Sequence, residues 1–387
     1  MDRPLEGVIR RFEESFARRP THAAHAGGRV NLIGEHTDYH DGFVFPAAID
    51  LRTAVAGAPR EDGVIRIRST RASDEAQARV GALRIPVVVD WRAYATGPFW
   101  ALGEKGYPVC GADVLVDGDV PLGGGLSSSA SLQVALVGLA SSLAGAALPA
   151  PEVASIARLA ENGYCGVPCG IMDQMASACG REGHALLLDC RSLGWEAVPV
   201  PSGWALVIAD CGVKHALGTS EYGRRQQECA QGLEVIRRRH AGVRALRDAT
   251  MEMVQEVSGE LEVRLLRRLR HVVSENRRCL EARDAMLRGD SPQMGALLAA
   301  SHRSLAADYE VSCAELDLLV ELAAGMAGFL GARLTGAGFG GNTINLVASE
   351  RALLFAETLA ESHASRTGRR IDTRVVRPSD GLSVIQV

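Results

Sequence analysis

Residues 121–131, Pro-Leu-Gly-Gly-Gly-Leu-Ser-Ser-Ser-Ala-Ser, bring together groups that bind anions. Three consecutive glycines let a loop turn its N–H groups inward, through backbone angles that a β-carbon forbids. The serines add hydroxyls where an apolar run over residues 130–143 predicts a helix. Amides, hydroxyls and the positive end of a helix dipole converge there, the usual setting for phosphate. A flexible linker is the plainer alternative, but linkers are longer and do not separate a strand (residues 114–116) from a buried helix. A nucleotide loop ending in Gly-Lys-Ser/Thr is absent, and the two lysines, Lys105 and Lys214, lie far from it in sequence. Positive charge for a phosphate must therefore come from elsewhere.

A second cluster occupies residues 27–40, Gly-Gly-Arg-Val-Asn-Leu-Ile-Gly-Glu-His-Thr-Asp-Tyr-His. Glu35, His36, Asp38 and Tyr39 put acceptors and donors within five residues, between two apolar strands. That density suits a polyhydroxyl ligand better than a solvated loop. In an extended segment His36, Asp38 and His40 would project from one side, so a metal site is the rival. Asp173 follows Gly170-Ile-Met, where a helix is expected to begin, and falls in its first turn. A helix-start carboxylate favours its anion. It is a weak base, tolerable in phosphoryl transfer, where positioning and charge stabilisation dominate. Glu161 alone reads as a surface helix residue; beside a phosphate loop it becomes a candidate ligand for the Mg2+ that travels with ATP. Residues 336–341, Gly-Ala-Gly-Phe-Gly-Gly, contain the dinucleotide pattern Gly-x-Gly-x-x-Gly, but a strand rather than a helix is expected next, which predicts a tight hairpin.

The elements that must hold these residues are mixed. A helix is expected over 8–18, strands over 30–33, 53–56 and 64–67, and a helix from 151 to 161 capped by Asn162-Gly163. Pro199 and Pro201 mark a boundary, giving domains 1–198 and 199–387. Helices dominate the second domain until strand and helix alternate again from about 332: strands 332–335 and 343–347, helix 350–365, strands 371–377 and 382–386. The 387 residues are 47% hydrophobic and carry a net charge of −4, which argues against a nucleic-acid partner. Nine scattered cysteines, no signal segment and no long apolar span predict a cytoplasmic protein with reduced thiols and no membrane association.

Taken together, these segments resemble the galactokinase family of the GHMP small-molecule kinases. Residues 28–39 resemble its sugar signature, 121–131 its phosphate loop and 336–341 its third motif. Residues 161–174, 220–225, 270–276, 301–302 and 308–312 follow the family pattern in order, so the likeness covers essentially the whole chain. The resemblance implies an α+β, two-domain GHMP kinase fold: an N-terminal ribosomal-S5-domain-2-like domain, a ferredoxin-like C-terminal domain, and the site between them. It implies ATP-dependent phosphorylation of α-D-galactose at C1. Asp173 would be the catalytic carboxylate, oriented by Arg29, which also stabilises the transferring phosphoryl group. Glu35, His36, Thr37, Asp38, Gly170 and Tyr222 would hold the sugar. Gly123, Gly124, Gly125, Leu126, Ser127, Ser128 and Ser129 would wrap the ATP phosphates, Ser69 would touch the nucleotide, and Ser129 and Glu161 would hold Mg2+. A monomer is expected. An N-acetylgalactosamine kinase and a non-catalytic sugar and ATP sensor are the alternatives. The chain departs from the family pattern at Gly27, where proline is usual, at Asn342, where cysteine is usual, and at Gly223, where asparagine is common.

Overall fold

The structure, a computed structural model, describes residues 3–213 and 218–387. Its first sheet has six strands in the order Ser383–Gln386, His22–Asn31, Pro46–Arg60, Gly111–Gly118, Val64–Ser69 and Ala76–Arg79. Alternation along Pro46–Arg60 explains its two faces. Ala54, Ala56 and Ala58 meet Leu5, Val8 and Phe12 of the amphipathic helix Arg3–Phe16, while Val55 joins the core on the other side. That other side carries Ser128–Leu143, a helix buried over most of its length, with Trp91–Glu104, Ala150–Leu159 and Met172–Cys179 around it.

A second sheet runs Phe329–Thr335, Asn342–Ala348, Trp204–Asp210 and Thr373–Val376, all antiparallel. One strand, a helical crossover, a hairpin, the helix Ala352–Thr367 and a final strand give the ferredoxin-like order. The first crossover is swollen by Gly218–Arg239, Val263–Arg288, Ser291–Ser304 and Ala314–Ala324. A small third sheet joins Phe43–Val44, His184–Asp189 and Trp195–Pro199. Val30, Ile33 and Phe45 share one apolar core with Ile208, Cys279 and Ile344, so the elements bearing the two polar clusters rest on common packing rather than on a linker.

Two sequence expectations change here. The last strand does not stay with the second domain: Ser383 pairs with His25 and Gln386 with His22, so a division at 198/199 leaves the chain's end in the first sheet. Antiparallel pairing to a distant strand has no local signature. The expected cap at Asn162-Gly163 is also absent. Ala150–Leu159 runs on into a π turn, Ala160–Tyr164, and the Asn162 side chain instead bonds the backbone N–H and carbonyl of Cys169, each at 3.1 Å. The π turn shifts the helical register and leaves Glu161 buried rather than on the surface.

Candidate active site

Arg29 and Asp173 form the centre. A β-bulge between Gly27 and Arg29 breaks the register of His22–Asn31 with Pro46–Arg60, the device by which a strand re-aims a side chain. Arg29 is 5% exposed, and its guanidinium grips Asp173 with two bonds, Nε to Oδ1 at 2.8 Å and Nη2 to Oδ2 at 2.9 Å. Its Nη1 donates to the Gly125 carbonyl at 2.6 Å. Ser127, in the left-handed region at φ 56°, donates its hydroxyl to Asp173 Oδ2 at 2.5 Å. Asp173 sits in the first turn of Met172–Cys179, as its sequence context predicts. Gly27 is in close packing: a Cβ there would fall 2.8 Å from the Ile49 carbonyl, and its own carbonyl accepts the Ser177 hydroxyl at 2.6 Å.

A cavity of about 310 Å3 opens in front of this pair. Arg29, Glu35, His36, Asp38, Glu161, Gly170, Asp173 and Tyr222 all line it, and Val167, Cys169 and Met172 add an apolar wall. Glu35 is anchored on Oε1 by Arg333 Nη2 at 2.7 Å, the Gly336 N–H at 2.7 Å and the Thr335 hydroxyl at 3.3 Å. Burial, then His271, hold His36 well below its ordinary pKa, so its ring is neutral. Nε2–H donates to the Ala337 carbonyl at 3.1 Å, which leaves Nδ1 to accept the Tyr39 hydroxyl at 2.7 Å. Both nitrogens are thereby engaged. Residues Asp38–His40 form a 3-10 turn, so the one-sided alternation behind the metal alternative does not arise. Burial first, then the charges of Asp173 and Glu35, push Asp38 up to about 7. A Cβ at Gly170 would overlap the Asp38 carboxylate, so a larger residue there must push that carboxylate aside.

Thr37 departs from expectation. It is fully buried and its hydroxyl lies 2.9 Å from the Gly34 carbonyl and 2.7 Å from that of Phe43, so it braces the loop and does not line the cavity. Leu126 places its side chain in the shared core and offers only backbone. Glu161 is 6% exposed, and Gln174 Nε2 donates to its Oε2 at 2.7 Å. Burial and then Asp173 raise Glu161 to about 7, with hydrogen bonds from Ser129 and Gln174 opposing the rise. Ser69 and Ser128 line a different cleft, of about 260 Å3, together with Arg71, Trp91 and Leu122.

Arg333 and Gln174 escaped the sequence reading. Arg333 had a signal: a lone arginine in the apolar strand Phe329–Thr335 demands a buried carboxylate, and Glu35 is that partner. Gln174 had none, since its target becomes buried only through the π turn.

Residues 10–59 match the galactokinase galactose-binding signature, residues 93–181 the GHMP kinases N terminal domain, and residues 282–364 the GHMP kinases C terminal domain. The chain is 44% identical to the galactokinase of Chloroflexus aggregans and 43% identical to that of Chloroflexus aurantiacus, each over 98% of both chains. Among solved structures it is similar to Lactococcus lactis galactokinase complexed with galactose, at 34% identity and TM-score 0.93 over 98% of this chain and 99% of that one. The mevalonate kinase of L. major in complex with R-mevalonate shares the fold alone, at 20% identity and TM-score 0.62 over 92% of this chain and 95% of that one. The likeness to galactokinases thus runs from end to end and includes the sugar-signature segment, which a shared fold alone does not explain, and on that ground the chain belongs to the galactokinase family of GHMP kinases.

Proposed function

We propose that this sugar kinase transfers the γ-phosphoryl group of ATP to the C1 hydroxyl of α-D-galactose, giving galactose 1-phosphate and ADP, the entry step of galactose catabolism. The observation that carries this reading is the position of Asp173. One carboxylate borders the polar cavity while bonding both the phosphate-loop Ser127 and Arg29, which in turn holds the loop at Gly125. In this reading a sugar hydroxyl seated in the cavity meets Asp173, and a phosphoryl group on the loop meets Arg29. The cavity lies at the small end of ligand pockets, roughly 300–1,000 Å3, as a monosaccharide requires. Glu35, Asp38 and Tyr222 take the sugar's hydroxyls, and the backbone of Gly170 lies beside Asp38. The loop amides and the hydroxyls of Ser128 and Ser129 take the phosphates, while the cleft beside Ser69 and Trp91 takes the nucleoside. Phosphorylation rates for galactose, glucose and N-acetylgalactosamine, read as ADP release, test the assignment. Galactose is expected to be the preferred acceptor; faster turnover of N-acetylgalactosamine, or binding without ADP formation, overturns it.

The donor set also fits Mg2+. Ser129 and Glu161 offer hard oxygen ligands, and the nearby Asp173 carboxylate raises the cost of charge on Glu161, which a cation would relieve. Bound with ATP, Mg2+ would neutralise part of the charge that builds on the phosphates. A carboxylic acid held near 7 is partly protonated at neutral pH and must lose that proton to bind a cation. Calorimetry of Mg·ADP binding at pH 7, in buffers of differing ionisation enthalpy, should therefore read proton release, greater at pH 6 than at pH 8. Glu161→Gln should remove most of it; unchanged release in that variant argues against Glu161 as a ligand.

Gly170→Ala tests the sugar side. The new methyl must displace the Asp38 carboxylate. Overpacking of this kind costs about 1–3 kcal/mol, so KM for galactose should rise by roughly 5- to 150-fold, with KM for ATP within about twofold.

A further inference from the structure

Asn342 opens the strand Asn342–Ala348 of the second sheet. Its side chain is buried, 3% exposed, and its Nδ2 donates to the carbonyl of Gly124 in the phosphate loop of the other domain. The next carbonyl, Gly125, accepts Arg29 Nη1 at 2.6 Å, and that of Leu126 accepts the Arg29 backbone N–H at 3.1 Å. Three successive carbonyls are therefore tied down on the protein side. In a planar trans peptide the C=O and the following N–H point opposite ways. Tying these carbonyls turns the N–H groups of Gly125, Leu126 and Ser127 away from the protein contacts. Among the described residues, none of those three donates a hydrogen bond within the protein.

We propose that Asn342 is a positioning residue for ATP, which holds the phosphate loop in its anion-binding shape from the second sheet. The inference rests on reading residues 123–129 as the loop that holds the ATP phosphates. Two of the three ties belong to Arg29, which the sugar-signature strand already carries. The Gly124 carbonyl has Asn342, and its peptide most needs a tie: Gly123 and Gly125 flank Gly124 at φ +72° and +71°. Glycine crosses between backbone regions with little penalty, so an untied Gly124–Gly125 peptide is free to rotate and to present its carbonyl where a phosphate oxygen should sit. Asn342 does not line the 310 Å3 cavity, so its effect should fall on nucleotide rather than on sugar.

The test compares the full-length enzyme with Asn342→Asp, which keeps the shape but loses the donor, and Asn342→Cys, which restores a weak one. The steady-state KM for ATP and for galactose, and ADP affinity by calorimetry, are read for each. A buried carbonyl stripped of its donor predicts a rise of about tenfold in KM for ATP and in Kd for ADP for Asn342→Asp, with KM for galactose within about twofold. Asn342→Cys should recover most of that loss. Asn342→Ala, which removes the donor without adding a charge, carries the same expectation, and a loss seen only with Asn342→Asp, whose carboxylate would repel phosphate, overturns the proposal. A rise below about threefold for ATP, or a parallel rise for galactose, overturns the proposal, since a merely structural residue would weaken both substrates. Gly123→Pro separates the two assumptions, because proline cannot adopt the positive φ and lacks the N–H. If it too leaves ATP unaffected, the phosphate loop has been misassigned and the clamp falls with it. If Gly123→Pro weakens ATP while Asn342→Asp does not, only the clamp is lost.

Discussion

Asp173→Asn is expected to lower kcat by about a thousandfold or more while ADP and galactose still bind within about threefold of the unsubstituted enzyme. The substitution preserves shape but removes the negative charge that Arg29 grips with two bonds and Ser127 with a third. A carboxamide cannot take the proton of a sugar hydroxyl, and its NH2 faces a guanidinium N–H in either orientation, and in one of them the Ser127 hydroxyl as well. Since phosphoryl transfer asks the protein chiefly for alignment and charge stabilisation, losing both the proton acceptor and the aligned arginine should act on turnover rather than on affinity. Single-turnover rates with saturating substrates isolate that step. A rate within tenfold of the unsubstituted enzyme would sink the role assigned to Asp173.

Arg29→Lys should cost about as much. Lysine keeps the charge but presents a point donor instead of a planar fork, so it cannot hold Asp173 at 2.8 and 2.9 Å and the Gly125 carbonyl at 2.6 Å together. An arginine serving a transferring phosphoryl group contributes about 10^3–10^5 in kcat, and a fall of about a thousandfold is the expectation. Unlike Asp173→Asn, this variant also frees the Gly125 carbonyl, so KM for ATP should rise with it. Arg29 and Asp173 act as one unit, and the double variant should be little worse than either single one. Losses that add in full would show that the two residues work independently.

How much of this was legible beforehand varies with the residue. The turn at 121–127 and the helix after it could be read because their signals are contiguous: glycines that permit the turn, hydroxyls, then a helix start. The hairpin at 336–341 could be read because β-rich sequence follows the glycines, and the register Thr335 to Asn342 bears it out. Asp173 at the head of its helix was visible for the same local reason. Thr37 and Ser127 were not. Each lies in a segment of the expected kind, yet the Thr37 hydroxyl turns to the Gly34 and Phe43 carbonyls and the Ser127 hydroxyl to Asp173. Segment identity follows from neighbours in the chain; side-chain direction follows from neighbours in space.

Taken alone, the sequence determined the chemistry on offer: an anion loop without lysine, a polar cluster dense enough for a sugar, and a carboxylate at a helix start. Backbone propensity and residue type act over a few positions, and so they survive in the linear text. Only the tertiary structure decided which groups meet. It brought Arg29 to Asp173 across 144 residues, Arg333 to Glu35 across some 300, and Asn342 to Gly124 across 218. It also buried Glu161 through a π turn and closed the first sheet with the chain's last strand. Those contacts depend on how two sheets pack on one apolar core, a condition met by distant residues at once.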